Sequence, residues 1–448
     1  MKKIFQYIML AVVTIVMASC TSDIEEPTAT TGKNNVQLVV GEFPAFGDSQ
    51  TRAIGTTDPG KTSWAEGDEL LLEMTSNTYG TQYATFKYNG SNWELASGEL
   101  SYKEDEVPTF PHVYYAPNYK WEAGELVLKE GKVAGTDEYI EGTAYTRNGE
   151  AIIVEFTAAT RKYSRLRIAT MPNKPITVDI NQYTPAGSSD MKCDQNYALT
   201  SDEKGNAYLY GTFENNSEVT VKYRGATLKT HQFSKETEKA KSYALDATVI
   251  SANSAEEIKS AIEQKVADGK TTIRLNLAPN AGTNEFMAIR EAIKGAAPND
   301  LGTIELTIIG VETIPEEAFY KMLQLKSVRM SDVKEIKKYA FKECQYLTVV
   351  EAPSLNKLCS GAFKKCDQLA KLTFGPINYA DERNWPIFEY VTQNIDLILS
   401  DYQKEMIETD SYLYTANNDR DYAGSNEHNS KNFLGREFRS ITCRYKVK

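Results

Sequence analysis

Gly55-Thr-Thr-Asp-Pro-Gly60-Lys61-Thr62 fits the pattern G-x-x-x-x-G-K-[ST], in which backbone amides and a lysine cradle nucleotide phosphates. That chemistry needs an apolar strand before the loop and a helix after it, so that amides and helix N-terminus converge on the phosphate. Polar Gln50-Thr-Arg-Ala-Ile54 precedes the loop, and Ser63-Trp-Ala-Glu-Gly67-Asp68, with its turn-forming Gly-Asp step, follows. The context rejects the motif. The histidines are His112, His231 and His428, far apart and outside any H-E-x-x-H pattern. Asn417-Asn-Asp-Arg-Asp421 with Gly424 lacks the order of a calcium loop and its closing glutamate. No cofactor or metal is expected, and the chain reads as a non-enzyme.

The ordered feature is a repeat. At a step of 22 residues Ile314, Ile336 and Leu358 align, as do Ala318-Phe319, Ala340-Phe341 and Ala362-Phe363. Met322, Cys344 and Cys366 follow, then Leu325, Leu347 and Leu369, then Val328, Val350 and Leu372. Apolar columns held in register are the mark of a solenoid, whose units bury their edges only by stacking. Cys344 and Cys366 share a column with Met322, so they are expected to pack as small buried hydrophobes rather than as a disulfide.

The unit I-x-x-x-A-F-x-x-C/M-x-x-L-x-x-V resembles the leucine-rich repeats of BspA-type bacterial surface proteins. The resemblance implies a strand after each Leu, with Leu325, Val328 and Met330 inward and Lys326, Ser327 and Arg329 outward. It also implies attachment to host matrix proteins or to other bacteria. An N-terminal cap is expected: helix 254–267 behind a Ser254-to-Glu257 capping box, strand 272–277, helix 285–294 and strand 304–309. A closing strand within 394–399 and a helical 402–409 are expected after the last repeat.

Lys2-Lys3 and the apolar run Ile8 to Met17 make a signal peptide, too short to span a membrane convincingly. It ends in Met17-Ala-Ser-Cys20, which resembles the lipobox of bacterial lipoproteins and implies acylation of Cys20. Thr21-Ser-Asp-Ile-Glu-Glu26 resembles the surface-export signal of Bacteroidetes lipoproteins. The net charge of −11 falls by two more when Lys2 and Lys3 leave, which argues against nucleic acid and anionic membrane faces. The lipid is then the membrane attachment.

From about Val36 to Val249 short alternating strands are separated by Gly, Asn, Asp and Pro, with Asn-Gly hairpin signals at Asn89-Gly90 and Asn148-Gly149. This texture predicts two antiparallel sandwiches divided near Thr157-Ala-Ala-Thr160. Val36-Gln-Leu-Val-Val40, Thr51-Arg52-Ala53 and Trp64-Ala-Glu-Gly67-Asp68 are similar to the opening of fimbrillin-family pilins. That resemblance implies proteolytic processing between Arg52 and Ala53 and release of the first strand.

The expected fold is therefore mainly β, with two antiparallel β-sandwich domains followed by an α+β C-terminal part, a short capped leucine-rich-repeat solenoid. The expected divisions are signal peptide 1–19, acidic linker 20–35, fimbrillin-like sandwich 36–157, second sandwich 158–250, cap 251–310, repeats 311–375 and C-terminal cap 376–448. The expected function is an outer-membrane, surface-exposed adhesin or accessory fimbrial subunit. Its partner is a host matrix or bacterial surface protein, with fimbrial subunits as further partners. The candidate binding rows are Ser327, Val349 and Lys371 beside Arg329, Glu351 and Thr373. The alternative is a glycan-binding lipoprotein of a polysaccharide-uptake system, with Trp64, Trp93, Trp121 and Tyr114-Tyr115 as candidate platforms.

Overall fold

A computed structural model describes residues 37–46, 60–103, 106–147, 151–157, 160–188, 193–252, 254–380, 386–391, 395–400, 432–434 and 436–444. The chain is mainly β and divides into two units. The first comprises Met1–Pro44, Lys61–Gly131 and Tyr139–Thr160; the second comprises Ala45–Gly60, Lys132–Glu138 and Arg161–Lys448. Cys20, Arg52, Ala53, the turn at 148–150, the segment 402–409 and the Asn417–Asp421 loop lie outside the described residues.

In the first unit the strands Gln37–Val40, Trp93–Gly98, Gly80–Tyr88, Glu69–Ser76, Val113–Tyr115, Ile140–Arg147 and Ala151–Glu155, in that spatial order, close a barrel. Alternation places Leu70, Leu72 and Met74 inside. An antiparallel sandwich was expected here, and a closed barrel is found. The difference lies in the first strand. It runs parallel to Ala151–Glu155 from Gln37↔Ala151 to Val40↔Val154 and pairs antiparallel through Leu38↔Trp93. One four-residue strand thus joins two sheet edges that would otherwise stay unpaired. A small hairpin, Tyr119–Glu122 with Glu125–Leu128, lies beside the barrel.

The second unit begins with seven strands, the longest of them Pro175–Pro185. Its first half pairs with Cys193–Thr200 and Glu218–Tyr223, and its last three residues pair with Asn206–Phe213. The switch occurs at a register shift between Ile180 and Tyr183, where Gln182 takes a φ of 48°. Such a bulge bends the strand so that it serves two neighbours. The core beneath includes Ile309 of the C-terminal part.

The C-terminal part is a parallel sheet in the order Ile250–Ala252, Thr272–Leu277, Ile304–Ile309, Leu325–Met330, Val349–Ala352, Lys371–Phe374, Asp396–Ser400 and Ser440–Arg444. The helices Ala255–Ala267 and Thr283–Ala296 accompany its first strands. Ser254 caps the first helix by accepting from Glu257 N at 3.2 Å. A second parallel ladder joins Thr313–Ile314, Glu335–Ile336, Lys357–Leu358 and Tyr379–Ala380.

The register steps by 22 residues: Ser327↔Val349↔Lys371 and Arg329↔Glu351↔Thr373. Each unit also turns through two left-handed positions. Glu317, Tyr339 and Gly361 hold φ of 54°, 56° and 62°, and Lys321, Glu343 and Lys365 hold 56°, 62° and 58°. These turns orient amides onto the next unit: Phe319 N donates to Ala340 O at 2.8 Å and Phe341 N to Ala362 O at 2.9 Å.

The stack continues beyond the third unit. Phe363 N donates to Ile387 O at 2.9 Å, and Leu372 pairs with Leu397. The spacing there is 25 residues, which carries the sequence out of its columns.

The stacking pattern changes at both ends among the described residues. Lys294 from the helix Thr283–Ala296 donates to Tyr320 O at 3.4 Å, while the equivalent carbonyl of Lys342 accepts from Lys321 N of the preceding unit at 2.9 Å. A lysine side chain therefore stands where a further repeat's amide would be. The aromatic spine ends edge-on, with Phe286 against Phe319 at 77° and Phe388 against Phe438 at 89°. Between them Phe319, Phe341, Phe363 and Phe388 stack within 21° of parallel.

Candidate functional site

The outward side of the parallel sheet is where the repeat sets chemically active side chains in rows. Leu325, Val328 and Met330 are fully buried: Val328 and Met330 alternate inward, and a register shift between Leu325 and Ser327 turns Leu325 to the same side. Arg329 is left outward, and its Nε donates to Glu351 Oε2 at 3.1 Å across the rung they share. Both side chains remain about one-third exposed (38% and 33%), so the pair is screened and its net stabilisation is small. Val349 is half-buried and Lys371 exposed in the neighbouring row.

Ser327 lies in the outward row as expected, yet its side chain is buried. It is 5% exposed, although it occupies the outward row between Glu305 and Val349. A short side chain among longer ones is overshadowed by them, and its hydroxyl has no partner among the described residues. The usable part of the predicted rows is therefore Arg329, Glu351, Val349, Lys371 and Thr373.

The rows are longer than the sequence suggested. Backward they reach Glu305, which pairs with Lys326 at 3.0 Å, and forward they reach Asp396 and Ile398. Arg439 and then Ser440 hydrogen-bond the Asp396 carboxylate and hold its pKa well below the ordinary value. A 25-residue step from Lys371 would have found Asp396. No sequence signal points to Arg439, which immediately precedes the strand Ser440–Arg444, outside the repeat spacing.

At the other end the same face is covered. Arg274 and Thr307, in register with Arg329, are 6% and 3% exposed. Arg274 donates to the carbonyls of Leu228 and Thr248, which ties this strand to the preceding β region. The exposed face therefore begins at Leu325–Met330.

The cysteines of the repeat are fully buried free thiols. Cys344 Sγ lies 3.0 Å from Phe319 O and Cys366 Sγ lies 3.0 Å from Phe341 O, so each thiol donates to the preceding unit. Burial pushes the Cys344 pKa up to about 12 and that of Cys366 well above its usual value. They are poor nucleophiles and sound packing.

Lys61 of the phosphate-loop pattern pairs with Asp68, and its ammonium donates to the Tyr115 hydroxyl at 2.9 Å. Residues 61–68 are not helical and lead into the strand Glu69–Ser76. The W-x-x-G-D residues have structural work of their own. Asp68 Oδ2 accepts from Ala65 N at 2.7 Å, Gly67 takes a φ of 94°, and Trp64 Nε1 donates to Gly41 O at 2.8 Å. Trp64 also packs edge-on against Phe43, Trp93 and Tyr115; of the candidate platform Tyr115 is buried, while Trp64, Trp93, Tyr114 and Trp121 are half-buried.

Residues 301–415 match the family model described as BspA type leucine rich repeat region, in six copies. This stretch of the C-terminal part is a BspA-type repeat region. No curated protein and no solved structure matches the chain. The BspA-type match begins before Ile304–Ile309, one strand earlier than the first full sequence unit. It runs past the 25-residue step, in keeping with the continued stack at Phe388.

Proposed function

We propose that this protein is a lipid-anchored, surface-exposed adhesin of the outer membrane, without enzymatic activity, whose BspA-type repeats bind a host matrix or bacterial surface protein. Repeats of this type are often surface- or adhesion-related, which favours the reading. The observation that carries it is the outward face from Arg329 to Asp396. There side chains recur in register on strands left open among the described residues, while the same face is sealed at Arg274 and Thr307. In this reading the repeats form a short solenoid closed at both ends, so a partner meets its face rather than its ends.

The anchor is the acylated Cys20, which follows from the lipobox. A triacylated cysteine holds far more firmly than a single chain, at ~0.8 kcal/mol per buried CH₂. Proteolysis of intact cells tests the orientation. The adhesin reading expects the wild-type chain to be shaved from the surface, and a chain protected until the cells are lysed contradicts it.

A role as accessory subunit of a fimbria is the second reading. Its support is the place of Gln37–Val40, a short strand whose departure would open the barrel between Trp93–Gly98 and Ala151–Glu155. Processing between Arg52 and Ala53 would sever that strand from the rest of the chain, and strand addition by another subunit would then fill the groove.

A further inference from the structure

The barrel carries a strip of aromatic rings bordered by carboxylates, and nothing about the repeats requires it. Tyr83 lies opposite Glu73 on neighbouring strands, and Tyr114 lies opposite Glu141. Tyr83 and Trp121 have ring centroids 4.7 Å apart, Trp121 and Tyr114 6.3 Å, and Tyr114 and Tyr139 5.4 Å. The exposed His112 extends the strip, stacked on Tyr114 at 5.6 Å and 13°. Its Nδ1 meets both Glu141 Oε1 and the Tyr114 hydroxyl at 3.0 Å.

Part of this strip is packing. Tyr119, Trp121 and Leu126 of the small hairpin pack with Leu71, Tyr114 and Tyr139, and Gly124 at the hairpin tip lies against the Tyr83 ring. Packing does not explain the carboxylates. Burial first, then the charges of Glu73 and Glu125, raise the Tyr83 hydroxyl above its ordinary pKa. Among the described residues neither Glu73 nor Glu125 has an ion-pair partner. An anionic border beside phenols offers strong acceptors and repels other anions. Ring faces next to such acceptors suit a ligand with apolar C–H faces and many hydroxyl donors, and the negative border disfavours sulfated or carboxylated polymers.

We propose that the strip formed by Tyr83, His112 and Tyr114 with Glu73, Glu125 and Glu141 is a binding site for a neutral glycan. The sugar's C–H face stacks on Tyr83 and the His112–Tyr114 pair, and its hydroxyls donate to the carboxylates. The site lies in the first unit and is independent of the repeat reading, so either stands if the other fails.

Affinity electrophoresis of the full chain in gels containing laminarin, mannan or starch, with heparin as the anionic control, tests it. At least one neutral polysaccharide should retard the wild-type chain, and heparin should not. Tyr83→Ala and His112→Ala should each weaken retention about tenfold, equivalent to ~1.4 kcal/mol. Glu73→Gln combined with Glu125→Gln keeps the shape and should weaken it too, which covers the case in which Tyr83→Ala disturbs the barrel. Retardation by none of the three, by heparin alone, or equally for wild type and folded variants would overturn the proposal.

Discussion

Phe341 and Phe363 lie face to face, their centroids 5.4 Å and their planes 9° apart, each supplied by the same position of consecutive repeats. Both are fully buried, with a further ring stacked on the outer side of each. Phe341→Ala should therefore destabilise the C-terminal part by about 3–5 kcal/mol, the range for a large buried aromatic. Denaturant melts followed by circular dichroism check it. A loss below about 1 kcal/mol would mean the spine is not continuous.

Arg274 joins the repeats to the β region before them, and Ile309 lies in that region's core. Arg274→Ala should cost about 3–6 kcal/mol, from two hydrogen bonds to a charged group at ~1.5–3 kcal/mol each. Residues 161–252 and 254–400 should also melt together in the wild-type chain. Hydrogen exchange by mass spectrometry resolves the two segments, and well-separated unfolding of wild type would refute the coupling.

The buried thiols give a pH prediction with a definite sign. Folding raises the Cys344 pKa to about 12, above the ~8.5 of an unfolded cysteine. The native state then keeps a proton that the unfolded state loses. The stabilising contribution is full below the unfolded pKa and falls as pH rises from there toward the folded value. Iodoacetamide at pH 8 should leave Cys344 and Cys366 unlabelled until the chain unfolds. Rapid labelling of native protein would show that the column is open.

Cys20→Ala tests the anchor. The altered chain should lose acylation and leave the membrane fraction. Membrane retention without lipid mass on the N-terminal peptide would remove lipidation from the account.

The repeat was legible because its columns demand identical packing at identical spacing. The expected strands 272–277 and 304–309 coincide with those found, and the expected helix 285–294 lies within Thr283–Ala296. Phe388 escaped because three extra residues moved it from a 22- to a 25-residue step, although its ring stacks on Phe363 at 8°. Ser327 stands in the outward row its spacing implies, but its burial was not legible, because the pattern reports which side a residue faces and not how far its neighbours overhang it. Barrel closure was equally hidden. Alternation in Gln37–Val40 marks a strand but does not say that both its edges find partners. Of the candidate rows, sequence spacing placed Arg329, Glu351 and Thr373 in one line and Ser327, Val349 and Lys371 in the next, because repeat spacing fixes register.

The most direct measurement is attachment of cells bearing Arg329→Glu together with Lys371→Glu to a surface coated with matrix proteins. Losing the exposed Arg329–Glu351 pair should cost no more than about 1 kcal/mol, so circular dichroism and melting should change little. The account predicts that attachment is lost while the fold and surface display persist. Attachment at wild-type level by the folded, displayed double variant would contradict it and remove the binding site from this face.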